Sequence, residues 1–154
     1  MIEESRRMTK ILSNDEKRDI IDLLRREFNS IDGVSLALVH GGFIESRVFR
    51  DIDVAIHFSN IIPGEDVIEE VRDVLERKLG IAIDIQVLNY APPRFTVKAL
   101  KNGLVIVEKI PGLRGILLIH AVEELKRLSR HRMIKLTSMT LRIYFFPTSR
   151  DLIH

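Results

Sequence analysis

Apolar and polar positions along this chain follow two rhythms, one of period 3.6 and one of period 2, and the switches between them mark out its elements. Ser13 followed by Glu16 is a capping-box signature, and Ile20, Ile21, Leu23, Leu24 and Phe28 then recur at helical spacing. A helix is predicted over about 14–29, closed by Asn29-Ser30 and Asp32-Gly33. The apolar run VSLALVH (34–40) reads as a buried strand, broken by Gly41-Gly42. DIDVAIHF (51–58) alternates, with Ile52, Val54, Ile56 and Phe58 on one face and Asp51, Asp53, Ala55 and His57 on the other. Pro63-Gly64-Glu65-Asp66 opens a second helix whose acidic first turn suits the helix dipole. Val67, Ile68, Val71, Val74, Leu75 and Leu79 form its stripe, and Gly80 stops it. IAIDIQVL (81–88) alternates again, placing Asp84 on the face of Ala82, Gln86 and Leu88. A turn over 89–93, a short helix over about 93–101 and a strand over 104–109 follow.

Pro111-Gly112 is the clearest boundary. Before it, the order α-β-loop-β-α-β-α-β predicts an α/β (α+β) domain over 1–110, a mixed central sheet with helices packed on one side. After it, residues 111–154 are predicted to form a C-terminal helical/β extension. A long basic helix carries Leu117, Leu118, Ala121, Leu125, Leu128 and Leu136, and MTLRIYFF (139–146) is apolar and β-prone.

Composition sharpens this in two places. A chain of 154 residues with 45% apolar content can bury one sizeable core. Charge is unevenly spread: residues 1–110 carry 16 Lys+Arg against 19 Asp+Glu, and residues 111–154 carry 8 against 3. The tail is therefore the expected contact for an acidic partner, protein or nucleic acid, although a solvated basic helix face explains it as well. With no cysteine, disulfides and thiolate metal sites are excluded. MIEESRRMTK lacks the apolar core of a signal peptide, and GILLIHAV (115–122) is far shorter than a membrane span, so a soluble, cytoplasmic protein with no membrane partner is expected.

The candidate chemistry lies in the aspartates. Asp51 and Asp53 project from one face of one strand, roughly 7 Å apart. If the strand of Asp84 pairs beside it, three carboxylates converge, and clustered anions repel unless a cation lies between them. Hard oxygen ligands suit Mg²⁺ or Mn²⁺. Two such ions clamp the attacking and leaving oxygens of a phosphoryl or nucleotidyl transfer. Gly41-Gly42, without Cβ atoms, lets backbone N–H groups approach a triphosphate. The same residues also suit the wet face of a half-exposed sheet beside a plain turn.

Gly41-Gly42, Asp51-Ile52-Asp53-Val54 and Asp84 within IDIQVLN together resemble the minimal nucleotidyltransferases (MNT) of the DNA polymerase β superfamily. IDIQVLNYAPPRFTVKALKNGLVIVEK (83–109) is similar to the end of such domains, so the resemblance spans roughly 15–110. It implies the nucleotidyltransferase fold and a Mg²⁺-dependent transfer of a nucleoside monophosphate, typically AMP from ATP, to an acceptor hydroxyl. By position, Asp51 and Asp53 would hold the ions, and Asp84 would bind the catalytic ion and help deprotonate the acceptor. Gly41 and Gly42 would lie against the triphosphate. Arg50, where Ser is common in the family, is a candidate for a phosphate contact or for pairing with an active-site aspartate. Many family members are antitoxins encoded with a HEPN-domain toxin ribonuclease, which they adenylylate on a tyrosine.

Outside the motif, His57 reads as a strand-end surface histidine rather than a ligand, since hard cations seldom need imidazole. Arg47, Arg94 and Lys98 are secondary candidates for phosphate contacts, and Tyr90 for base stacking. Arg127, Arg130, Arg132 and Lys135 crowd the tail helix without the aromatic interleaving of an RNA-binding motif. Packing on the domain, a homo-oligomer or a partner contact is the expectation there. Three functions remain in view: the transferase, the same fold as a binding module that neutralises a partner, and a nucleic-acid-associated adaptor.

Overall fold

The computed structural model describes residues 8–145, with side chains as far as Met139. The elements in chain order are β1 (Lys10–Ile11), α1 (Asn14–Ser30), β2 (Val34–His40), α2 (Gly42–Glu45), β3 (Val48–Phe49), β4 (Asp51–Phe58) and α3 (Glu65–Leu79). Then come β5 (Ala82–Val87), a 3₁₀ turn (Leu88–Tyr90), α4 (Pro93–Asn102), β6 (Leu104–Glu108) and α5 (Leu113–Phe145). The capping box at the start of α1 is present: Ser13 Oγ accepts from Glu16 N–H, and Glu16 Oε2 accepts from Ser13 N–H.

The main sheet has the order β5-β4-β2-β6. β2 pairs antiparallel with β4 and β6, while β4 and β5 run parallel, joined by α3 as a crossover. Alternation decides the faces. Ile52, Val54, Ile56 and Phe58 pack with Leu24 and Phe28 of α1 and Leu75 of α3. Leu36, Leu38 and Ala55, of opposite phase, pack with Leu88, Ala99, Leu100 and Leu113.

The helices therefore lie on both faces, a departure from the one-sided packing predicted. The physical reason is β2, apolar at every position from Val34 to Val39, apart from Ser35, and buried on both faces. α4 and the first turns of α5 cover the second face only in its middle. The end carrying the aspartates stays open, and there the alternating polar positions of β4 and β5 face solvent.

A second departure concerns the tail. The β-prone stretch from Met139 continues α5 as far as Phe145, while Phe146, its last residue, lies outside the described residues. No described strand stands next to it, and extending an existing helix needs no new nucleus. β propensity without a pairing partner does not outweigh that.

Candidate functional site

Sheet topology brings the candidate residues to one edge. β4 and β5 are parallel, so their first residues lie at the same end, and antiparallel β2 finishes there. Asp53 is paired with His40 on one side and Asp84 on the other. Residues paired directly across a sheet project to the same face, so His40, Asp53 and Asp84 form a row, with Asp51 beside it on β4. Asp51 and Asp84 are exposed and Asp53 is half-buried.

The electrostatics follow from that row. The Asp53 carboxyl is pushed up from its ordinary 3.8 to about 6, first by burial and then by the charges of Asp51 and Asp84. Burial also holds His40 below the usual imidazole value, against the opposing pull of Asp84 and Glu45 and with a minor push from Lys98. Its Nε2 is buried without a hydrogen-bond partner among the described residues, and its ring meets Phe95 edge-on at 5.4 Å. Asp84 Oδ2 accepts a hydrogen bond from Gln86 Nε2 at 3.1 Å, which draws it along its own strand. Among the described residues, no three Asp, Glu or His side chains are gathered closely enough to grip one ion as they stand. The donor set nevertheless suits a hard divalent cation: three carboxylates share one face, and the middle one resists ionisation until positive charge arrives.

The glycine turn is built around Asp53. Gly41 has φ 73° and ψ −157°, a conformation essentially restricted to glycine. A Cβ there would run into the Asp53 carboxylate. Gly42 then starts the single-turn helix α2, whose first N–H groups have no partner within the turn.

Three contacts fix the loop. Phe43 is fully buried and stacks edge-on with Phe49 at 5.0 Å. β1 pairs with β3. Lys17 Nζ donates to the Phe43 and Ser46 carbonyls at 2.7 and 2.8 Å and lies over both aromatic rings. Replacing Lys17 by Met is expected to lower stability by about 1–2 kcal/mol, since two charge-assisted bonds are lost while the alkyl stem is kept. Urea unfolding checks this, and faster amide exchange confined to 42–46 is the accompanying sign.

The remaining candidates are dispersed. Arg50 is exposed at the bend before β4, and Arg47, Arg94 and Lys98 are exposed as well. Tyr90 is largely solvent-facing. His57 lies at the far end of β4 from Asp53, with Nδ1 2.8 Å from Ser35 Oγ, and lines a cavity of about 330 Å³ with Leu117 and His120. It stands apart from the carboxylates.

Three residues at or near the site are not marked by the sequence pattern, Lys17, His40 and Gln86, and a fourth, Asn89, acts at the far end of β4. The Asn89 side chain joins Phe58 through both its groups, accepting from N–H at 2.9 Å and donating to the carbonyl at 2.8 Å, so the 3₁₀ turn extends the β4 edge. Its place in the Leu-Asn-x-Ala-Pro-Pro turn was visible in the sequence, but its partner was not. His40 shares the face of Leu36 and Leu38, but a uniformly apolar run does not display that face in the sequence.

A family model described as "Polymerase beta, Nucleotidyltransferase" matches residues 18–111. No curated protein sequence matches the chain. Among solved structures, the fold is similar to a toxin-antitoxin with AMP-PNP, at TM-score 0.63 and 17% identity over 80% of this chain and 98% of that one. It is also similar to a chain of the tri-AMPylated Shewanella oneidensis HEPN toxin in complex with MNT antitoxin, at TM-score 0.61 and 16% identity over 84% and 99%. A toxin-antitoxin MntA-HepT structure matches at TM-score 0.60 and 16% identity, over 83% and 99%. At such identities these likenesses establish the fold.

Proposed function

This chain belongs to the polymerase β nucleotidyltransferase family, and we propose that it transfers AMP from ATP to a hydroxyl of a partner protein, using Mg²⁺ or Mn²⁺. The observation that carries the reading is the in-register pairing of Asp53 with Asp84, beside Asp51 and over Gly41. Asp51 and Asp53 would hold the ions, and Asp84, released from Gln86, would complete the set. Bound divalent ions supply neutralisation of the triphosphate and of charge developing on the departing pyrophosphate.

The chain's own groups do the rest. Gly41 leaves room for a phosphate close to the backbone, and the N–H groups that open α2 favour an anion there. Asp84 takes the acceptor's proton as the acceptor oxygen bonds to the α-phosphorus. The bond from that phosphorus to the pyrophosphate oxygen breaks, and pyrophosphate leaves with the electron pair. Arg50, exposed beside β4, is a further phosphate contact. Antitoxin relatives of this fold, one of them solved with an AMPylated HEPN toxin, favour a HEPN-domain toxin as acceptor.

Calorimetry with Mg²⁺ and AMP-PNP, together with a labelling assay using ATP radioactive at the α-phosphate and a HEPN-domain toxin as acceptor, tests this. Binding and label transfer are expected, both lost in Asp51→Asn. Toxin neutralisation without label would instead make the protein a binding module, and absence of nucleotide binding would remove the transferase reading altogether.

A further inference from the structure

Asp84 is carried by β5, the outermost strand on its side of the four-stranded sheet, so the row His40-Asp53-Asp84 ends at a strand edge. At the opposite end the row is closed. There β6 continues the sheet beyond β2, and Phe95 of α4 packs against the His40 ring. Over the middle stands the glycine turn, with Gly41 against the Asp53 carboxylate. With a triphosphate at that turn, the approach left for an acceptor is over β5.

The outer edge of β5 has the form that an incoming strand needs. Successive residues of a strand turn their backbone groups to opposite edges. Ile83 N–H points away from β4 and donates to Glu76 Oε1 at 2.9 Å. By alternation Ile85 and Val87 point the same way, while Asp84 and Gln86 turn toward β4. The α3 side chain of Glu76 therefore occupies the edge at Ile83. Past Asp84 the edge borders a groove of about 440 Å³, between the first turn of α3 and the 3₁₀ turn. Ile68, Ile85, Val87 and Tyr90 line it, with Glu65 at its rim.

We infer, on the basis of the transferase reading above, that the acceptor hydroxyl arrives on an extended peptide segment that adds to the sheet beside β5. Pairing at Ile85 sets the segment's adjacent residue opposite Asp84. Residues so paired project to the same face with Cβ atoms about 5 Å apart, which brings the hydroxyl to the side of the three carboxylates. The residue opposite Ile85 itself projects to the other face, toward Ile68, and is therefore apolar. Glu65 favours a basic residue further along. The substrate class that follows is a hydroxyl residue next to an apolar one, in a loop or chain end able to straighten. Main-chain bonds supply the affinity, and the alternate side chains supply the choice. A hydroxyl held inside a helix has its backbone groups already paired and is a poor acceptor.

Amide exchange of the ¹⁵N-labelled chain, followed by NMR, tests this. The probe is a HEPN-domain toxin that takes label in the assay above, held before transfer by Mg²⁺ and α,β-methylene-ATP. In the free chain the Ile85 amide should exchange freely and those of Asp84 and Gln86 slowly. Bound toxin should slow Ile85 at least about tenfold. Ile85→Pro is a second check, because an outward-facing position on an edge strand tolerates proline yet can no longer donate. It should raise KM for the toxin about tenfold and leave nucleotide affinity as it is, with far-UV circular dichroism confirming the fold. Label transfer with Ile85 still unprotected overturns the inference and leaves the transferase reading standing, as does an unchanged KM in folded Ile85→Pro. Absence of label from the wild type removes both. Protection of Ile85 in the free chain also overturns the inference: lost on dilution, it means that a second copy occupies the edge, and kept on dilution, that the chain fills its own.

Discussion

Asp53→Asn is expected to abolish nucleotidyl transfer, by at least about a hundredfold, and at the same time to raise the melting temperature of the metal-free protein at neutral pH. The two effects share one cause. Burial, with the neighbouring charges of Asp51 and Asp84, lifts the Asp53 carboxyl to about 6. A raised carboxyl favours the fold only while protonated. That contribution is complete below the ordinary 3.8 and is lost as pH climbs through about 6, so at pH 7 the ionised group opposes folding. Asparagine keeps the shape and removes the charge. The side chain is only half-buried, so solvent screening reduces the gain to about 1 kcal/mol, or roughly 2–4 °C. The pH dependence is the sharper check: the advantage of Asp53→Asn should shrink between pH 6 and pH 4. Saturating Mg²⁺ and AMP-PNP should reverse the order, because ligand binding stabilises only the protein that can bind. Differential scanning fluorimetry across pH, with and without the ligands, reads all of these. Equal melting temperatures at pH 7 would mean that the Asp53 carboxyl is not raised by burial and by its neighbours' charges.

Why the sequence disclosed the aspartates but not their surroundings is a matter of range. Period-2 alternation over 51–58 and 81–88 specifies which residues share a face within one strand. Pairing the two strands required only that a helix lie between them, which α3 supplies. The row's third member, His40, depends on the antiparallel partner of β4, and an apolar run such as VSLALVH carries no alternation from which to read a face. Lys17 acts across 26 residues on a backbone carbonyl, an acceptor every residue has. Nothing in side-chain pattern could single it out. The one-sided packing expected of the helices failed for the same reason as the missed histidine, since a strand buried on both faces shows only uniform apolarity. The tail differs for another reason: the local β preference of 139–145 has no strand to pair with among the described residues.

Gly41→Ala carries the other large effect, and it separates two contributions that coincide at this position. The first is backbone: at φ 73° and ψ −157° an alanine is strained by about 1–3 kcal/mol wherever its methyl points. The second is the methyl itself, which would enter the space of the Asp53 carboxylate and force it away from Gly41. Together they should lower stability by about 2–4 kcal/mol, measured by urea unfolding, and abolish binding of AMP-PNP. A double-mutant cycle with Asp53→Ala divides the total. Removing the carboxylate relieves the steric part and leaves the backbone strain, so Gly41→Ala should cost less in the Asp53→Ala background than in the wild type, by about 1 kcal/mol or more. Strict additivity would show that the side chain of Asp53 does not lie over Gly41, and the close approach of carboxylate and glycine turn would lose its basis. Gly42→Ala is the control. It sits in the first position of α2, and its Cβ would meet nothing nearer than Phe49 Cβ at 3.7 Å. That protein should fold as well as the wild type, so any loss of nucleotide affinity in it reports on the loop's contact with phosphate rather than on the loop's own stability.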